Sequence, residues 1–200
     1  MQSAQIYYNH NMIKYYYFAS QYKLEKGLFD DIIRNSYSQY LEIEYLDNFS
    51  GIILADENFF VRLISIIDVL TMDLNSNFIF LESYKMSALA EKTILKLSKD
   101  KKYGVFAVSL VVLQYYLSND LELYQELKKE FQSVKKELLD TAVAYLNCNM
   151  NACLASKSLY IHRNTFNYRL NKFIEQTSLD IRNYNNSILL LTYSLIESNM

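Results

Sequence analysis

The chain has 200 residues, a formal net charge of −2, 51% hydrophobic and 15% aromatic side chains, three glycines, two cysteines, and neither proline nor tryptophan. That content builds a core in one ordinary domain or two small ones and excludes a disordered chain. Near-neutral charge argues against a general nucleic-acid coat protein, but not against a sequence reader with one local basic face.

The densest apolar stretch, Val105 to Leu117, contains Ser109 and Gln114 and is too short to span a bilayer. The N-terminus lacks the charged region and apolar core of a signal peptide, so a cytoplasmic address with no membrane contact is expected. Cys148 and Cys153 have only His10 and His162 as further soft ligands, which falls short of a zinc site. Two reduced thiols are expected, a redox switch between them is the alternative, and no metal or cofactor is predicted.

In chain order, Ile6 to about Tyr40 carries helical spacing at Tyr17, Phe18, Tyr22, Leu24, Leu28, Phe29, Ile32 and Ile33, interrupted by Gly27. Residues 1–45 are therefore expected to be a helical segment. Tyr7, Tyr8 and the run Tyr15 to Phe18 are too aromatic for a lone solvated helix and imply packing on a neighbouring layer or partner subunit. Phe49 to Ala55 reads as a buried strand, and Asn58 to Leu70 as a helix with Phe59, Phe60, Leu63, Ile64, Ile67 and Leu70 on its apolar positions. Phe78 to Leu81 predicts a second strand and Ser83 to Leu97 a second helix, which lacks a capping box at Ser83. Tyr103 to Val108 predicts a third strand, so residues 46–120 are expected to form a small α/β module.

A connecting helix is expected over 121–136, followed by an all-α domain over 137–200. Its helices are predicted at Leu138 to Leu146, Ala152 to Ser158, Arg163 to Gln176 and Asn185 to Glu197. The middle two have the pattern of a helix-turn-helix pair. Leu154, Leu159 and Ile161 supply the first anchors, and Phe166, Leu170, Phe173 and Ile174 the second.

Left outward are Arg163, Asn164, Asn167, Tyr168, Asn171 and Lys172, the side chains that base edges and phosphates accept. Asn164, Asn167 and Tyr168 are assigned to the groove, with Arg163 on base or backbone and Thr165 at the donor-rich helix start. His162, Lys157, Arg169 and Lys172 fall to the phosphate side, with His162 alternatively capping the helix. Periodicity alone is equally satisfied by an ordinary polar face, with Arg169 paired to Glu175 or Asp180 and Tyr168 packed.

Leu159, Ile161, His162, Arg163, Asn164, Thr165, Phe166, Tyr168, Arg169 and Leu170 reproduce a known pattern. With Tyr145-Leu146 and the turn Asn149 to Asn151, the segment Glu137 to Glu197 resembles the C-terminal helix-turn-helix domain of the PucR/CdaR family of bacterial transcriptional regulators. Phe166 stands in a Leu place, Ser156 in a usual Ala place, and Ser178 in a usual Gly place. The last substitution implies a helix end without a left-handed glycine, or with strain. Ser83 to Lys99 and Tyr103 to Leu117 resemble the segment that closes a degenerate GGDEF-like α/β module in that family. No Gly-Gly-Asp-Glu-Phe sequence occurs, so a structural or dimerising module is expected.

The resemblance implies an α+β protein that binds double-stranded DNA as a homodimer to regulate transcription, with no effector identified. The competing reading is a protein-interaction module that keeps the helix-turn-helix fold without specific DNA binding. An enzyme is not expected, because no nucleophile, base and orienter share a spacing and no glycine-rich phosphate loop exists. Asp56-Glu57, the one acidic pair at a strand end, is expected to be structural or solvated.

Overall fold

A computed structural model describes residues 13–197. The chain divides into two compact units at the Val108–Ser109 bond, the first mixed α+β and the second all-α.

The first unit is built around β1 (Ile13–Ser20), the middle strand of a five-stranded sheet ordered β2-β3-β1-β4-β5. β2 is Leu41–Tyr45, β3 Ser50–Asp56, β4 Phe78–Ser83 and β5 Gly104–Ala107. β1 runs antiparallel to both β3 and β4, β2 antiparallel to β3, and β5 parallel to β4.

The helical expectation for residues 1–45 is corrected here, since only α1 (Lys26–Ser36) is helical among the described residues of that span. β1 is covered on both faces, so Tyr16, Tyr17 and Phe18 are all buried and the strand shows no alternation to read. Its aromatic run is strand-favouring once such a surface surrounds it. Residues 6–12 of the same expectation, with Tyr7, Tyr8 and His10, lie outside the described residues. β2 does alternate, with Leu41, Ile43 and Tyr45 half-buried between exposed Glu42 and Glu44.

One sheet face packs against α1 and α2 (Asn58–Asp73) through Tyr16, Phe18, Phe29, Ile33, Ile53, Phe59, Leu63, Phe78 and Phe80. Gly51 is required there, because a methyl group at its position would collide with the Phe18 ring and the Glu44 carbonyl. The other face takes α3 (Ala88–Lys99), whose Ser87 amide donates to the Tyr17 hydroxyl at 3.2 Å. α3 begins later than predicted. Ser83 is the last residue of β4, and the cap is Ser87, whose hydroxyl accepts from Ala90 N at 3.3 Å.

Asp56 is buried, and its carboxylate accepts from the Tyr37 hydroxyl and the Asn58 amide while Glu57 is exposed. The Asp56-Glu57 pair therefore does not converge, and Asp56 closes the start of α2. Lys14 and Glu82, both buried on the α1–α2 side, form an ion pair at 3.2 Å.

The second unit contains α4 (Val108–Leu117, which leaves β5 directly), α5 (Glu122–Phe131), α6 (Lys136–Asn147), α7 (Ala152–Ser158), α8 (Arg163–Thr177) and α9 (Tyr184–Glu197). α6, α7, α8 and α9 begin and end within two residues of the helices read from the sequence, whereas α5 stops at Phe131 and does not run on to 136. Their core joins Leu123, Leu127, Phe131, Leu138, Ala142, Phe166, Phe173, Leu179, Ile181, Leu189 and Leu190. No helix among the described residues is long and apolar enough to cross a membrane.

Candidate nucleic-acid interface

Three helices position the outward face of α8. α6 and α7 both pack on it, and Phe166, the first buried residue of α8, meets Tyr145 of α6 at 6.0 Å between ring centroids. Phe173, two turns on, stacks on Phe131 of α5 at 6.1 Å with an 11° interplanar angle. Phe166, Leu170, Phe173 and Thr177 make the buried stripe, which fixes the rotation of the helix about its own axis.

α7 starts at Asn151, whose side-chain oxygen accepts from Cys153 N at 3.0 Å and Leu154 N at 3.1 Å. Its inward residues are Ala155 and Ser156, both buried; Ser156 satisfies its hydroxyl by donating to the Cys153 carbonyl at 3.0 Å. Leu154, expected as an anchor, is instead 53% exposed. The buried side of this seven-residue helix is carried by the small Ala155 and Ser156, and Leu154 falls on its exposed side. Leu159 and Ile161 are half-buried as the connection turns.

His162 is the N-cap of α8. Its Nδ1 accepts from Asn164 N at 3.2 Å, so the neutral ring carries its proton on Nε2. Of the two roles open to His162, capping is the one seen. Arg163, Asn164, Thr165, Asn167 and Tyr168 are all exposed, Tyr168 to 62%, so the packed alternative for Tyr168 does not hold.

The cations sort differently from the sequence expectation. Arg169 is half-buried and pairs with Glu137 at the start of α6, Nη2 to Oε2 2.8 Å, rather than with Glu175 or Asp180. Lys172 pairs with Glu175 at 2.6 Å, and that hydrogen bond holds its amine above the usual lysine range. Asp180 instead receives Arg182. Lys157 and Arg163 are exposed, with no ion pair or side-chain hydrogen bond among the described residues. Ion pairing thus leaves these two as the free positive charges of the α7–α8 face, one on each side of the turn.

α8 ends at Ser178 in the left-handed conformation, φ 59°, where glycine is the ordinary choice. Cys148 and Cys153 are free thiols, half-buried and exposed respectively. No group of three or more His, Cys, Asp or Glu residues among the described residues could hold a metal ion.

This geometry coincides with a sequence match: residues 138–194 match the PucR C-terminal helix-turn-helix domain. The second unit carries a PucR-type helix-turn-helix domain.

Relatives share that segment. The chain is 38% identical over 55 residues to the uncharacterized protein YxkF of Bacillus subtilis, 28% of this chain and 18% of that protein. It is 44% identical over 50 residues to the carbohydrate diacid regulator of Escherichia coli, 25% of this chain and 13% of the regulator. It is 38% identical over 69 residues to the proline-responsive transcriptional activator PutR of Bacillus subtilis, 34% of this chain and 16% of PutR. The matched stretches therefore span less than a fifth of each relative. Among solved structures, a regulator of polyketide synthase expression from Bifidobacterium adolescentis aligns with a TM-score of 0.46 and 14% identity, over 94% of this chain and 80% of that one.

Within the PucR-type domain, then, α7 is the supporting helix and α8 the outward-facing one. Missed from the sequence were the capping Asn151 and the Glu137 partner of Arg169. An Asn directly before an apolar stretch is a readable cap signal; Glu137 lies too far along the chain for any local signal to connect it.

Proposed function

We propose that this chain is a sequence-specific DNA-binding transcriptional regulator that inserts α8 into the major groove. The observation that carries this reading is the separation of faces on α8. Phe166, Leu170 and Phe173 lock the helix from below while Arg163, Asn164, Thr165, Asn167 and Tyr168 stand free above. Asparagine pairs with adenine N6 and N7, arginine with guanine O6 and N7, and the threonine methyl with thymine. Lys157 takes a phosphate, Arg163 a guanine edge or a phosphate, and His162 contributes by fixing the start of the helix.

The regulator works as a dimer in this proposal, since one α8 covers too few base pairs for strong discrimination and two reach half-sites about 34 Å apart. The first unit supplies the pairing surface. Its α2 presents Val61, Ile64, Val69 and Met72 outward, 48–78% exposed, interleaved with exposed Arg62, Ser65 and Asp68, the mixed apolar and charged character of a pairing surface. A degenerate, non-catalytic GGDEF-like module is the finer reading of that unit, supported by the β1α1β2β3α2β4 order with β1 between β3 and β4.

In vitro selection from a random duplex library, at stated salt, tests the function directly. Enrichment of a two-fold symmetric site is expected. Recovery of no enriched sequence would leave the helix-turn-helix fold serving a protein partner. Sedimentation of Ile64→Glu beside the wild type tests the pairing, with a monomer expected for the variant.

A further inference from the structure

Five helices among the described residues close with the same pair of backbone hydrogen bonds. In each, the residue after the cap adopts a left-handed backbone and donates three residues back, and the next residue donates five back. The left-handed residues are Asn75, Lys101, Asn119, Asn149 and Tyr160, with φ between 46° and 60°. With only three glycines in the chain, asparagine is the usual occupant, as its short side chain tolerates this region best after glycine.

Lys101 and Tyr160 are the exceptions, and Tyr160 is the aromatic one. A bulky aromatic is poorly suited to left-handed backbone, and here nothing in the fold compensates. Tyr160 is 95% exposed, its hydroxyl makes no hydrogen bond among the described residues, and its ring packs on no other ring there. Its amide donates to the Lys157 carbonyl at 3.1 Å and the Ile161 amide to the Ser156 carbonyl at 3.0 Å, bonds any residue would make. An asparagine would close α7 with less strain. The misfit stands at the turn between α7 and α8, in sequence between Lys157 and Arg163, the two unpaired cations of that face.

We propose that Tyr160 is a DNA-contact residue. Its ring lies along the sugar–phosphate backbone at the edge of the groove that α8 enters, and its hydroxyl donates to a phosphate oxygen. Tyrosine is suited to both tasks, offering a rigid apolar surface and one donor at its tip. The contact rests on α8 being the groove-reading helix, and it adds a residue outside that helix to the interface. Being directed at the backbone, it strengthens binding without choosing bases.

The test uses the full chain and the duplex returned by selection, with binding followed by fluorescence anisotropy at fixed salt and folding by thermal melting. Tyr160→Asn is expected to weaken binding about tenfold, to the selected and to a scrambled duplex alike, while the melting temperature stays level or rises by roughly 2–5 °C. Tyr160→Phe is expected to lose about threefold, since it keeps the ring and drops the donor. Lys101→Asn, the same exchange at a cap in the first unit, should leave affinity unchanged. Wild-type affinity in Tyr160→Asn, or affinity lost together with a lowered melting temperature, overturns the proposal. A folded wild type that binds no duplex overturns the reading of α8 itself, an outcome told apart by its appearing before any substitution.

Discussion

Arg169 on α8 reaches Glu137 at the start of α6 with 2.8 Å between Nη2 and Oε2, joining two helices whose contact orients the outward face. Both side chains are partly exposed, so screening keeps the pair to about 0.5–1 kcal/mol. Arg169→Ala should therefore lower unfolding free energy by about that amount in urea titration, with the loss shrinking in high salt. The salt slope of DNA binding should barely change. A slope reduced by a full phosphate would return Arg169 to the backbone-contact set.

Asn164 and Asn167 are the expected adenine readers. Asn164→Ala and Asn167→Ala should each cost about 1–3 kcal/mol of discrimination between the selected site and random duplex, measured by competition. The sites recovered should place adenine opposite them. Equal losses on both duplexes would make them phosphate contacts instead.

Lys157→Ala should weaken selected and random duplex alike and flatten the plot of log affinity against log salt by about one unit. Lys172→Ala should do less, because Glu175 already neutralises that amine. With two unpaired cations on the α7–α8 face, the wild-type slope from that face is expected near −2 per protomer, at about −0.9 for each phosphate neutralised.

Ser178 holds φ 59° at the end of α8. Ser178→Gly removes the Cβ conflict of left-handed backbone and should stabilise the domain by about 0.5–1 kcal/mol, read as a raised denaturation midpoint. DNA affinity should not move, since Ser178 lies at the far end of α8 from Asn164.

Three phenols of the first unit ionise only at high pH. Burial first, then Glu82, raises Tyr16; burial and the hydrogen bond to Asp56 raise Tyr37; burial and the hydrogen bond to Asp30 raise Tyr45. In the unfolded chain each titrates near pH 10. Folded values above unfolded ones mean that the folded state holds more protons in alkali, so their contribution is intact below about pH 10 and is lost as pH rises beyond it. Phenolate absorbance should show these three appearing only with loss of the far-ultraviolet signal. A smooth single-step titration with structure retained would contradict this.

How legible each region was depended on how local its signal is. α8 was readable because Phe166, Leu170 and Phe173 repeat at helical spacing and the residues between them are polar. β1 was not, because a strand buried on both faces loses its alternation, and its aromatics fall by accident into register with Phe29 and Ile33 of α1. β2 could have been found, since Leu41, Ile43 and Tyr45 do alternate with glutamates. The true cap of α3 was hidden by an earlier serine: Ser83 ends a strand, and only Ser87 has an apolar helical run directly after it. The Arg169–Glu137 and Lys14–Glu82 pairs depend on tertiary approach, which no local pattern encodes.

Among the described strands, the middle one of the sheet is made before the four others. β1 can pair with β3 only when the chain has been made through Asp56, and with β4 only through Ser83, so both of its edges wait unpaired during synthesis. An aromatic strand held open in this way is a template for pairing with another nascent copy. Removing β1 through Ser20 would leave the antiparallel β2–β3 pair and the parallel β4–β5 pair as two separate remnants, with no strand to join them.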